Sequence, residues 1–318
     1  MQTLLLIAPV FAVMVTGFVS VRLGIVPRNI AGYLIGFVYH VALPALMFRI
    51  VAEAPLASLL NGPFWLAYGG GTLVLLAVVR VAAAPLLGDT SVERTLNALG
   101  AAATNTGFVA LPILHSLFGA KGVPPAAISN LFMAAVFFPV GLAMLSLSDR
   151  AAGLPSASRF AREVLLSPLV WPTLLGVVFA VTDLSVAKIA DDYLAILSAA
   201  LTPCALFAVG ASLDLGAIAQ DRLRLTLITV LKLIALPALV LGIGVASDMP
   251  GFVVITAVIC ACVPTAKTVY FLAEEHHAGE KTAAAVISTT TLFSVVTITG
   301  WIVLLHQLYP EGFSRAGG

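Results

Sequence analysis

Two polar clusters interrupt otherwise apolar runs of this chain, and both carry groups suited to holding an anion. One is Pro264-Thr265-Ala266-Lys267-Thr268, inside an apolar run from about Phe252 to Ala273. The run is long enough to cross a bilayer, which takes about 20 mostly apolar residues in a helix. Proline removes a backbone donor and clashes with the preceding turn, so the helix is expected to break there. Broken backbone at membrane depth is tolerated only where protein buries it or it lines a cavity. A lysine at that depth is costly and by default marks a functional site. The plainer alternative is a kinked helix whose lysine snorkels to an interface. The other cluster is Thr104-Asn105-Thr106-Gly107, followed by Pro112, again at the centre of an apolar run.

Unwound helices leave half-helix N-termini with free N–H groups and partial positive charge, which suits a carboxylate. Lys267 adds a full charge. Asn105 offers a donor and an acceptor, and Thr104, Thr106, Thr265 and Thr268 offer hydroxyls for a ligand or for unwound backbone. The acids lie almost entirely in loops and at span ends. Asp214 is the one acid near membrane depth, and Lys232 competes for it. A substrate carboxylate is therefore the expected partner of Lys267. Pro44 and Pro203 are expected to shape helices beside this site, and Asn130 and Ser129 to line it. His40 is expected as a satisfied buried histidine, with a place on the substrate cavity as the alternative. Glu274, Glu275, His276, His277 and Glu280 read as a solvated charged face, and Cys260 and Cys262 as packing residues.

Those clusters need long apolar elements to position them, and the composition supplies them. Apolar residues make up 60% of 318 positions and charged ones 10%, against about 25% charged in a soluble domain. Mean hydropathy is +1.08. The runs are continuous rather than alternating, so the fold class is an all-α polytopic membrane protein and not a barrel. A net charge of +1 gives no basis for a nucleic-acid partner. The three cysteines fall in apolar segments, so no disulfide framework or metal site is indicated. No Ser-Lys or Ser-His pair, metal motif or paired aspartates lies within the spans, which argues against an intramembrane enzyme. The first run lacks a basic leader and reads as a retained helix.

Hydropathy and helix breakers predict ten transmembrane helices at about 3–21, 30–52, 63–84, 95–118, 124–147, 164–182, 191–213, 224–246, 250–274 and 281–306. The loops after odd-numbered spans, with adjoining span ends, hold Arg22, Arg28, Arg80, Arg94, Arg150, Arg159, Arg162, Arg222, Arg224 and Lys281. The other side holds Arg49, Lys121, Lys188 and Arg315. This bias puts both termini on the non-cytoplasmic side.

Slid along itself by 159 residues, the chain matches Pro9 to Pro168, Gly17 to Gly176, Pro44 to Pro203, Phe48 to Phe207, Ser129 to Ser288 and Gly141 to Gly300. Asn105 falls on Pro264. Five spans per repeat is an odd number, so the halves are expected to be inverted, with interrupted helices 4 and 9 in matching positions. That arrangement is the best sequence pointer to a midplane site. The expected division is residues 1–147 for the first repeat, 148–163 for a cytoplasmic linker, 164–306 for the second repeat and 307–318 for a tail.

In order and spacing, Val41-Ala-Leu-Pro44-Ala-Leu-Met-Phe48, Asn105-Thr106 with Pro112, Phe207-Ala-Val-Gly210 and Pro264 to Ala273 with Ser288 resemble the auxin efflux carrier family over essentially the whole chain. The resemblance implies a fold similar to that of the bile acid/sodium symporters, with helices 4 and 9 crossed. It implies a scaffold of helices 1, 2, 6 and 7 against a crossover domain of helices 3–5 and 8–10, with elevator-like transport of small carboxylates such as malonate or malate. It further implies a bacterial-type inner membrane and a homodimer through the scaffold. Plant members carry proline where this chain has Thr104, lack a lysine at the position of Lys267, and many have a longer central loop. Auxin is therefore not carried over as the substrate. No cofactor is implied. A desolvated lysine can exchange a proton, so proton coupling or uncoupled transport is expected ahead of sodium coupling.

Overall fold

The computed structural model describes residues 2–53, 61–83, 90–148, 168, 170–182, 184–213 and 221–314. Among them the chain is helical, with no strand. Its helices are α1 (Gln2–Arg22), α2 (Ile30–Glu53), α3 (Gly62–Ala82), α4 (Ser91–Ala102), α5 (106–118), α6 (123–148), α7 (Val170–Val181), α8 (Lys188–Ala211), α9 (Arg222–Ala246), α10 (Gly251–Cys262), α11 (Thr268–Glu275), α12 (Glu280–Leu308) and the short α13 (Pro310–Ser314). By length and composition, six helical segments among the described residues can cross a membrane. Shorter apolar helices occur at Ala8–Arg22, Val170–Val181 and Gly251–Cys262. Residues 149–163 of the expected linker and Asp214 lie outside the described residues, while Ser148 ends α6.

Several bends have one covalent cause. The helical ladder widens into a π turn at Val38–Ala42, Thr106–Ala110, Met133–Phe137 and Leu231–Ala235, each ending two residues before a proline. The proline ring would collide with the carbonyl four residues back and offers it no N–H, and a wider turn relieves the collision. Pro237 thus frees the Leu233 carbonyl, which accepts instead from the Trp301 indole at 2.9 Å. In α8 the two halves meet at Ala200, three residues before Pro203.

α4 and α10 lie at the centre. Every residue from Thr95 to Ala102 and from Val253 to Cys262 is buried. α10 is apolar on every side and belongs inside, while in α4 the small residues Ala98, Gly100, Ala101 and Ala102 permit close packing. Outer helices turn apolar side chains outward, among them Val15 and Val19 of α1, Trp171 and Val178 of α7, and Ile189 and Ile196 of α8.

Two outer contacts depend on glycine. A Cβ on Gly17 of α1 would stand 2.1 Å from the Phe207 carbonyl of α8, and one on Gly210 would stand 1.8 Å from the Met14 carbonyl. On α7, a Cβ at Gly176 would stand 3.0 Å from the Phe48 carbonyl of α2. Arg49 of α2 pairs through one guanidinium edge with both carboxylate oxygens of Asp191 of α8, Nε donating to Oδ1 and Nη2 to Oδ2 at 3.2 Å. Helix packing supplies this frame, and the central pair sits inside it.

Candidate functional site

α4 starts from a capping box, with Thr90 accepting from the Glu93 N–H and the Glu93 carboxylate accepting from the Thr90 N–H. Its far end has no such local cap. Ala103 turns extended (φ −65°, ψ 130°), and α5 begins at Thr106. α10 ends likewise, with Val263 extended (φ −73°, ψ 157°). Pro264 accounts for that end, since the residue before a proline is pushed out of helical backbone.

The two interruptions meet, and each completes the other. In an unbroken helix the Gly100 carbonyl would take the Thr104 N–H, and the Asn105 N–H would go to Ala101. Instead Gly100 accepts from the Thr265 hydroxyl at 2.7 Å, and Asn105 donates to the Pro264 carbonyl at 2.9 Å. The Thr265 N–H donates in turn to the Thr290 hydroxyl of α12 at 3.2 Å. Buried backbone groups without partners are costly, so these exchanged bonds hold both breaks open.

Neighbouring helices grip the same region. Thr104 is buried and shares a hydrogen bond with the Tyr68 hydroxyl of α3. The Thr106 hydroxyl donates to Asn130 Oδ1 of α6 at 2.7 Å. Gly107 makes room for that amide, because a Cβ there would meet Asn130 Oδ1 at 3.2 Å and Leu43 Cδ2 at 3.3 Å. Among the described residues Asn130 Nδ2 is buried without a partner. Lys232 of α9 is fully buried, and its Nζ donates to the Ala261 carbonyl at 2.8 Å.

Of the residues singled out from the sequence, Asn105, Pro264 and Thr265 are joined by these bonds. Thr104, Thr106, Gly107 and Asn130 adjoin them. Lys267 caps α11 at its N-terminus, half-buried, with Thr268 exposed beside it. Among the described residues the Lys267 ammonium, the Asn105 side-chain amide and the Thr268 hydroxyl make no hydrogen bond or ion pair. Pro112 is buried in the first turn after the π segment of α5, and Pro44 is buried in α2. Pro203 is exposed. His40 is exposed rather than buried, a correction to the sequence expectation. Val38 and Ala42 are fully buried, and His40 lies two residues from each, on the opposite side of the helix. Its Nδ1 lies 3.0 Å from the Gly36 carbonyl.

Tyr68, Thr290 and the Ala261 contact of Lys232 were not foreseen. Lys232 had a legible signal, a charge within an apolar run. Tyr68 and Thr290 had none, since such residues are common in membrane helices. Of two cavities among the described residues, one lies away from the junction and the other borders it at Gly100. The larger, about 980 Å³, is bounded by residues that include Glu53, Asn61, Lys121, Tyr309 and Glu311. The smaller lies between α4, α11 and α12.

Comparison with known proteins agrees in kind. Residues 3–302 match the model of the family described as "Membrane transport protein". The chain is 29% identical to the "Putative malonate transporter" of Rhizobium meliloti (strain 1021), over 95% of each chain. It is 25% identical to an "Uncharacterized transporter" of Methanothermobacter thermautotrophicus, over 93% of this chain and 96% of that one. It is 24% identical to the "Uncharacterized transporter YfdV" of Escherichia coli (strain K12), over 92% and 95%. A multi-pass helical chain with polar breaks in its buried helices and a full-length family match is a membrane transporter rather than an enzyme, and it belongs to the membrane transport protein family, that of the auxin efflux carriers.

Proposed function

We propose that this protein is a secondary active transporter of a small organic anion, a mono- or dicarboxylate such as malonate or malate, working by elevator-type alternating access. The observation that carries the reading is the junction of the two breaks. There the N-termini of α5 and α11 adjoin the Asn105–Pro264 bond, and the Lys267 ammonium has no partner among the described residues. Two half-helix N-termini and a free ammonium form a site for a carboxylate. Asn105, Thr106, Gly107, Pro264, Thr265, Lys267 and Thr268 would surround the substrate. The name of the Rhizobium relative favours a short dicarboxylate.

Ten membrane-crossing segments in two inverted repeats fit the helix bounds. Adding 159 to Ser91–Ala102 gives 250–261, against Gly251–Cys262, and adding it to Arg22 gives 181, where α7 ends. The packing supports the same symmetry. Gly17 sits on the Phe207 carbonyl, and Gly176 sits on that of Phe48, and each residue of one pair is 159 positions from its counterpart in the other. These contacts join α1 to α8 and α2 to α7, the scaffold. α3–α6 and α9–α12 would form the crossover domain that moves against it. The distribution of lysine and arginine supports a cytoplasmic linker and termini on the opposite side of an inner membrane. A scaffold-mediated homodimer fits the outward apolar faces of α7 and α8.

The test is uptake and counterflow of labelled malonate, malate and acetate in proteoliposomes, with and without sodium. Saturable dicarboxylate flux that Lys267→Ala abolishes is expected. Equal transport by Lys267→Ala and the parent overturns the site.

A further inference from the structure

The second break is asymmetric with the first. A continuous helix would pair the Ala261 carbonyl with the Thr265 N–H and the Cys260 carbonyl with the N–H of residue 264. Residue 264 is proline and has none. The Thr265 N–H has been drawn off to the Thr290 hydroxyl. The C-terminal end of α10, the negative pole of a buried half-helix, therefore lacks its ordinary donors. The first break meets the equivalent shortage with a neutral hydroxyl, that of Thr265 on Gly100. The second meets it with Lys232, whose Nζ reaches Ala261 from α9 at 2.8 Å and is fully buried. Among the described residues no carboxylate pairs with Lys232.

We propose that Lys232 is a tethered cation that holds the second break open, its charge standing at the C-terminal pole of α10 while Thr290 holds the Thr265 N–H. Lys232 is then a positioning residue. It touches no substrate, but it fixes the extended segment that carries Lys267 to the junction. A buried charge with one carbonyl ligand is costly in isolation, and the dipole of a buried half-helix supplies the compensation. This inference rests on the transport reading for its consequence and on the hydrogen bonds alone for its geometry.

The experiment uses the full-length protein, purified and also reconstituted, with Lys232→Ala, Lys232→Gln and Thr290→Val, and with ethylammonium as the probe. Thermal unfolding of Lys232→Ala is expected to shift upward by about 3 °C or more with ethylammonium, which occupies the deleted position. The parent, and sodium chloride at equal ionic strength, are expected to show no such shift. In proteoliposomes ethylammonium is expected to restore malonate flux to Lys232→Ala. Lys232→Gln, which keeps a donor without the charge, is expected to lose about tenfold in flux, equivalent to about 1.4 kcal/mol. Parental flux in Lys232→Gln overturns the role of the charge. An ethylammonium-insensitive Lys232→Ala, in both unfolding and flux, overturns the site. If Lys232→Ala does not accumulate, Thr290→Val carries the test through a raised KM for malonate, and an unchanged KM counts against the device. Because unfolding responds to the amine whatever the cargo, a parent that fails to move malonate overturns the substrate and leaves this proposal standing.

Discussion

The backbone N–H of Asn105 donates to the carbonyl of Pro264 across 2.9 Å, joining positions 159 residues apart in the chain. Neither helix interruption is satisfied by its own strand of backbone. The first gives its free N–H to the second and takes the hydroxyl of Thr265 in return. The pair therefore forms or fails together, and residues at one break have effects at the other.

Lys267 is the clearest functional test. Lys267→Gln removes a charge that has no partner among the described residues, so folding is expected to be little changed while carboxylate affinity falls. A charge-assisted hydrogen bond contributes about 1.5–3 kcal/mol, or roughly 10- to 100-fold in KM. Uptake kinetics in proteoliposomes, read beside the thermal midpoint of the same preparation, check both halves of the expectation.

Thr265 is expected to matter first for stability. Thr265→Val keeps the shape and leaves the Gly100 carbonyl buried without a donor, at a cost of about 1–3 kcal/mol. Thr265→Ser keeps the hydroxyl and should melt near the parent. Equal midpoints for Val and Ser would show that the bond to Gly100 carries no weight.

At Gly107 a methyl group would press on Asn130 and Leu43 at just over 3 Å. Gly107→Ala is expected to displace the Asn130 amide and reduce transport more than it reduces stability. The Asn130→Ala, Gly107→Ala double variant relieves the collision, so its midpoint should fall by less than the sum of the single effects.

The α1–α8 contact is expected to be the least tolerant of substitution. A Cβ at Gly210 would sit 1.8 Å from the Met14 carbonyl, which only a backbone shift can accommodate. Gly210→Ala should cost about 1–3 kcal/mol or more. Gly300→Ala, with open space around it, should be neutral. Size-exclusion profiles of detergent extracts heated in steps measure both.

The sequence by itself determined the membrane class, the helical content and the places where the central helices stop. Each of these follows from local chemistry: apolar runs of spanning length, proline without an N–H, and polar residues where lipid would reject them. The 159-residue spacing of Gly17 from Gly176 and of Phe48 from Phe207 was also legible, and the structure packs Gly17 on Phe207 and Gly176 on Phe48.

What satisfies the breaks was decided only in three dimensions. Lys232 looked like a competitor for Asp214, which lies outside the described residues, and its Nζ donates to the Ala261 carbonyl. His40 looked buried and is exposed, since its place on the helix depends on which neighbours claim the opposite face. Tyr68 and Thr290 carry no sequence signal at all. A hydrogen bond between distant residues depends on where helix packing brings two backbones within 3 Å of each other. Composition and local pattern set where a backbone needs a partner, and only the packed structure chooses which one it receives.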